Sequence, residues 1–138
     1  MKQSAIQESS SRALTIVLIS NNPVLRRGLH IILKESPFVS EIAEVAVSSQ
    51  AVDTVVREKP QVVVVDLRLV DADPSALIRA LRAAAADSHI LVLSGLHDET
   101  LTREALAAGA EGVVLTIQPA AVLLAVIESL CGDVPRSM

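Results

Sequence analysis

In this chain of 138 residues, three short segments carry side chains able to do chemistry: Ser20-Asn21-Asn22, Asp66-Leu67-Arg68 and Ser94-Gly95-Leu96. A carboxylate near neutral amides and hydroxyls can hold a hard cation or accept a transferred group, and it can equally cap local backbone amides. Ser20 or Ser94 with His89 or His97 supplies the residue types of a nucleophilic triad, but neither serine sits in a Gly-x-Ser-x-Gly elbow. His30, His89 and His97 lack the spacing of metal ligands and read as structural or solvated. The segment SNNPVLRRG contains only Gly28, too far along to cradle a pyrophosphate. Hydrolase and dinucleotide-enzyme readings are set aside, and the chain is expected not to be an enzyme.

The elements that must position these residues follow from hydrophobic periodicity. Short β-branched runs at 14–20, 41–47, 61–66, 89–94 and 112–116 alternate with amphipathic stretches at 23–35, 49–59, 74–86, 99–108 and 119–130. Pro23, Pro74 and Pro119 stand where first helical residues belong, after Asn22, Asp73 and Gln118; Asn and Asp are good caps, Gln a poor one. Gly109 and Gly132 are placed to close helices. Runs one, three and four are nearly continuous Val, Ile and Leu, as in parallel strands covered on both faces. The expected fold is α/β, a flavodoxin-like (βα)5 doubly wound parallel sheet in strand order 2-1-3-4-5, with two helices on one face and three on the other. The second strand is the least regular, and its Glu41 and Glu44 fit an edge. Such a sheet binds ligands at the carboxyl ends of its strands, where all three polar segments fall.

The chain is 51% hydrophobic and 20% charged, which excludes a disordered protein and fits one domain. Phe38 is the only aromatic residue, so the core is built from Val, Leu, Ile and Ala and base-stacking platforms are disfavoured. Net charge is −4 and the 12 basic residues are scattered, so direct nucleic-acid binding is not expected. Cys131 is the only cysteine, so no internal disulfide can form, and residues 1–12 lack the apolar stretch of a secretory signal. The longest apolar run, Ala120 to Ile127, is far short of the about 20 residues that span a bilayer. A cytoplasmic protein with no membrane segment is expected, organised as a flexible leader (1–12), a folded domain (13–131) and a tail or linker (132–138).

The order of these pieces resembles the receiver domain of two-component response regulators. ISNNPVLRRGL looks like that family's first strand and helix start, VVVVDLRLVDAD like its third strand with the phospho-accepting aspartate at Asp66, ILVLS places Ser94 at its hydroxyl position, and ALAAGAEGVVLT resembles its AL-x-x-GA-x-G signature. The proline after the first strand and the GAEG phrase look most like the NarL/FixJ subfamily, which implies a helix-turn-helix output domain beyond the receiver and a histidine kinase as phosphodonor.

The resemblance also implies what is altered. Phosphoryl transfer to a carboxylate concentrates negative charge, so the family uses acids to hold Mg²⁺, and a lysine and a hydroxyl to hold the phosphoryl oxygens. Here the acid pair aligns with Ser20 and Asn21 and the lysine with Thr116; Asp66 and Ser94 are retained. Asp66, Asn21 and the backbone carbonyl of Arg68 remain as ligands for a weakly bound Mg²⁺, the only cofactor expected. Ser20 and Asn21 read equally as turn residues satisfying backbone groups, and the Arg68 side chain can pair with Asp66 or Asp71 or be solvated. The family's switching aromatic aligns with Val113, which has no comparable rotamer change. Val70 and Pro74 replace the usual proline and glycine beyond the acceptor, so the third helix is expected to start differently.

The last helix, PAAVLLAVIESL, carries one charge, Glu128, and is apolar nearly all round. One side packs on the sheet; the other is either a partner surface or an alanine-rich face of no consequence. Homodimerisation through the fourth helix, fifth strand and fifth helix is expected, with Leu123, Leu124, Val126 and Ile127 as apolar contacts and Glu99, Arg103 and Glu104 as the rim. The leading functional reading is an atypical receiver with impaired or absent aspartyl phosphorylation, acting as a regulatory and dimerisation module on a transcriptional output. The alternatives are a receiver still phosphorylated at Asp66 with weak Mg²⁺ dependence, and an unrelated small α/β enzyme.

Overall fold

Four consecutive valines, Val62 to Val65, are at most 1% exposed, which requires cover on both faces of their strand. The computed structural model describes residues 13–131. In chain order it contains β1 (Leu14–Ile19), α1 (Pro23–Lys34), β2 (Val39–Val45), a 3-10 turn (Ser48–Gln50), α2 (Ala51–Glu58), β3 (Val62–Asp66), α3 (Pro74–Ala84), β4 (His89–Ser94), α4 (Glu99–Ala108), β5 (Gly112–Leu115) and α5 (Ala120–Cys131). The strands form one parallel sheet in the order β2-β1-β3-β4-β5. The leader, the tail and Gly132 lie outside the described residues.

Alternation along the strands divides the core in two. Val17, Val63, Val65, Ile90 and Val92 face a layer made by α2, α3 and α4. Ile16, Leu18, Val62, Val64 and Leu91 face α1 and α5. Each fully buried Leu, Ile or Val side chain contributes about 1.5–3 kcal/mol, so the two layers hold the strand ends in fixed relation.

Local chemistry sets the boundaries. Asn22 caps α1, its side chain accepting from the amides of Val24 and Leu25, with Pro23 in the first turn. Asp73 precedes Pro74 at the start of α3, but its side chain makes no capping bond. α5 begins at Ala120 rather than Pro119, because Gln118 turns its Oε1 back to the Leu115 amide (2.9 Å) instead of capping the helix. β2 lies two residues earlier than the expected 41–47: pairing of Leu14 with Val39 and Ile19 with Val45 buries both valines and leaves Val47 46% exposed. It is an edge strand, and its Glu44 bonds Arg26 and His30 of α1. Gly109 closes α4 at φ +129°, a conformation L side chains rarely adopt. Among the described residues no helix is long and apolar enough to cross a membrane.

Candidate functional site

The chemistry-bearing segments meet at the carboxyl end of the sheet because β1, β3, β4 and β5 are parallel and adjacent. Asp66 ends β3 and is 4% exposed. Its Oδ2 accepts a 2.7 Å hydrogen bond from Ser20 Oγ, and its Oδ1 accepts one of 3.0 Å from the Arg68 amide. Ser20 Oγ in turn accepts from the Asn22 amide (3.0 Å), and the Ser20 carbonyl accepts from Arg26 Nη1 (2.7 Å). Among the described residues no cation forms an ion pair with Asp66. The carboxylate is thus stabilised by neutral donors alone.

Asn21 joins three loops. Its Nδ2 donates to the Ala46 carbonyl beyond β2 (2.9 Å), and its Oδ1 accepts from the Val70 amide in the β3–α3 loop (2.8 Å). Nearby, Asp71 accepts from Ser48 Oγ (2.6 Å) and the Ser48 amide (2.9 Å). These two bonds, with a smaller contribution from Asn21, hold the Asp71 carboxyl below the ordinary value of 3.8. Asn21 thus satisfies backbone groups of two neighbouring loops.

Ser94 is 2% exposed at the end of β4; its hydroxyl donates to the Gly95 carbonyl (3.2 Å) and shares a 2.8 Å hydrogen bond with Thr102 Oγ1. Thr116 follows β5, with its amide bonded to the Ser94 carbonyl (2.9 Å) and its side chain exposed. The Arg68 side chain pairs with neither Asp66 nor Asp71. Its Nε lies 3.6 Å from Asp98 Oδ2, and the guanidinium passes so close over Gly95 that a Cβ there would collide with it. Asp98 Oδ2 also accepts from the Gly95 amide (2.9 Å), which ties the β3–α3 and β4–α4 loops together. Val113 is half-buried against the α2–α4 layer.

A hard divalent cation needs several oxygen ligands, carboxylates foremost. Among Ser20, Asn21 and Asp66 there is one carboxylate, both of its oxygens already accept hydrogen bonds, and the Asn21 carbonyl oxygen is engaged with Val70. This donor set does not fit a tightly held magnesium ion.

The family of the response regulator receiver domain matches residues 16–128. The chain belongs to that family. Over 100 residues this receiver is 30% identical to the DNA-binding transcriptional activator DevR/DosR of Mycobacterium tuberculosis, covering 72% of this chain and 46% of that protein. It is 25% identical over 130 residues to the nitrate/nitrite response regulator protein NarL of Escherichia coli K12, covering 94% of this chain and 60% of the relative. The receiver thus spans about half the length of such curated relatives. Among solved structures, a two-component response regulator of the LuxR family from Aurantimonas sp. SI85-9A1 superimposes with a TM-score of 0.78 at 25% identity, over 86% of this chain and 84% of that one. Receiver domains are signalling modules, and in this one Asp66 stands at the end of β3.

Two of the residues expected on the partner face, Leu123 and Ile127, point inward instead: they are 2% and 0% exposed in the layer between α1 and α5, because residues four apart share one helix face. Leu124 and Val126 are half-buried at the edges of the same layer. Glu99 and Arg103 border a groove lined by Leu96, Leu106 and Leu115 on the α4–β5 side, where Leu96 is 53% and Leu106 46% exposed. Thr102, Asp98, Ser48 and Arg26 escaped sequence reasoning. Only Asp98, an acid next to the glycine-containing turn after Ser94, left a legible signal.

Proposed function

We propose that this receiver domain is a regulatory and dimerisation module in which aspartyl phosphorylation at Asp66 is impaired or absent, and that it governs a transcriptional output in the cytoplasm. The observation that carries the reading is the hydrogen bond from Ser20 to Asp66. Both carboxylate oxygens accept hydrogen bonds from neutral donors in a buried site, and among the described residues no cation pairs with Asp66 to offset the charge that phosphoryl transfer brings. Thr116 supplies no positive charge, so nothing on β5 offsets the incoming phosphoryl group. Magnesium binding at Asp66, Asn21 and the Arg68 carbonyl is accordingly feeble.

Association runs through the α4–β5–α5 face, with Leu124 and Val126 as apolar contacts and Glu99 and Arg103 at the rim. The names of the relatives, a transcriptional activator and nitrate/nitrite regulators, support DNA-binding output as the downstream partner. A second reading, phosphorylation at Asp66 by a histidine kinase, is favoured by the retention of Asp66 and Ser94 at adjacent strand ends. Sedimentation equilibrium with and without beryllium fluoride and Mg²⁺ separates the two. The first reading gives the same association state in both conditions, and a dimer formed only with the phosphoryl mimic supports the second.

A further inference from the structure

Asp98 stands at the N-terminal cap position of α4 and does not cap the helix. Aspartate is among the best capping residues, its side chain ordinarily accepting from the second or third helical amide, here Thr100 or Leu101. Asn22 does this for α1 at φ −91° and ψ 108°, whereas Asp98 has φ −104° and ψ 38°. The Asp98 Oδ2 turns back instead, accepting from the Gly95 amide at 2.9 Å with Arg68 Nε 3.6 Å away. Gly95 serves this arrangement rather than a backbone need. Its φ is not positive, but a Cβ on it would collide with both the Arg68 guanidinium and Asp98 Oδ2.

We propose that Asp98 is a two-position latch: strapped to Gly95 and Arg68 as observed, or turned forward to cap α4 once Arg68 is drawn away. The two positions are closely matched. Strapped, the carboxylate holds one amide and an ion pair whose arginine is 65% exposed, and such pairs are weak. Turned, it gains a helical amide and the positive end of the helix dipole. Arg68 decides between them. Its own amide donates to Asp66 Oδ1 at 3.0 Å, so an event at Asp66 that breaks this bond moves the residue that carries the guanidinium. Beyond its first turn α4 stays anchored, because Thr102 Oγ1 shares a 2.8 Å hydrogen bond with the Ser94 hydroxyl, and the movement is confined to residues 95–101. Leu96 and Glu99 in that segment border the α4–β5 groove, so the latch sets the shape of the groove's edge. It operates in the chain without any phosphodonor, and therefore stands or falls separately from the reading of Asp66.

Amide hydrogen exchange read by NMR on the intact chain, without phosphodonor or Mg²⁺, tests the latch. Arg68→Ala should speed exchange at Gly95 at least about threefold and slow it at Thr100 or Leu101 about fivefold, the worth of one capping bond. Gly95→Ala removes no charge but pushes the guanidinium and the carboxylate off together, and it should slow Thr100 or Leu101 likewise. Asp98→Ala should speed Gly95 without slowing the helical amides, and adding Arg68→Ala to it should change nothing further. Arg57→Ala, at an exposed arginine of α2, should leave all three amides as they are. Opposite changes at Gly95 and in the first turn of α4 are the signature of a latch. Unchanged or faster exchange at both Thr100 and Leu101 in either Arg68→Ala or Gly95→Ala overturns the proposal, as does unchanged exchange at Gly95 in Arg68→Ala. So does faster exchange that spreads into the β4 amides, which would make Arg68 a structural residue only. Should Gly95→Ala not fold, Arg68→Ala alone decides.

Discussion

Ser20 Oγ lies 2.7 Å from Asp66 Oδ2, and both side chains are more than nine-tenths buried. A hydroxyl therefore solvates the Asp66 carboxylate from the position where the family resemblance calls for an acid. Removing it leaves a buried charged oxygen short of a donor, which costs about 1–3 kcal/mol. Ser20→Ala should lower the unfolding free energy by that amount in urea titrations. A change under about 0.5 kcal/mol would mean that water or another group solvates Asp66 equally well.

Asn21 holds the β3–α3 loop through the Val70 amide while its own amide bonds Ala46. Asn21→Ala frees that Val70 N–H, which belongs to a residue 88% exposed. Amide hydrogen exchange at Val70 should then speed up by at least about tenfold while the β3 amides keep their protection, because only the loop opens. Unchanged exchange at Val70 would show that the loop is held by other means.

At the opposite end of the sheet, Glu111 accepts from Arg82 Nη2 (2.8 Å) and from His89 Nδ1 (2.7 Å). Burial alone would raise its pKa, but the His89 and Arg82 hydrogen bonds outweigh that and hold it below the ordinary 4.5. A depressed carboxyl contributes stability above its unfolded value, and that contribution is lost as pH falls through the folded value. Glu111→Gln should lower Tm at neutral pH by about 4 °C, with the gap to the unaltered chain closing below about pH 4.5. A gap that stays constant from neutral pH down to about pH 3 would contradict the assignment.

The fold was legible because Val62–Val65 and Ile90–Leu93 have no polar face to misassign and parallel crossovers permit few topologies. β2 was less so. At the edge of the sheet, Glu41 and Glu44 reach solvent, so the apolar pattern does not fix the register and pairing with β1 does. In the site, the resemblance located Ser20, Asp66 and Ser94, but hydrogen-bond partners depend on rotamers that no pattern encodes: Ser94 turns to Thr102 and Arg68 to Asp98. α5 hid its phase for a related reason. With Glu128 as its one charge, the helix offers no polar stripe to tell inward Leu123 and Ile127 from half-buried Leu124 and Val126.

That distinction makes paired substitutions informative. Ile127→Ala removes a side chain buried in the α1–α5 layer and should cost about 2–5 kcal/mol of stability. Leu124→Glu, on a half-buried position, should leave the circular-dichroism signal intact and yield monomers by sedimentation velocity. If the unaltered chain is already monomeric at high concentration, dimerisation through this face is wrong.

The proposed loss of phosphoryl chemistry at Asp66 is read most directly by intact-mass analysis after incubation with a small-molecule phosphodonor and Mg²⁺. An unmodified or only partly modified chain is expected, with partial recovery of the adduct when Ser20→Asp, Asn21→Asp and Thr116→Lys are combined. Near-stoichiometric addition at Asp66 in the unaltered chain would contradict it.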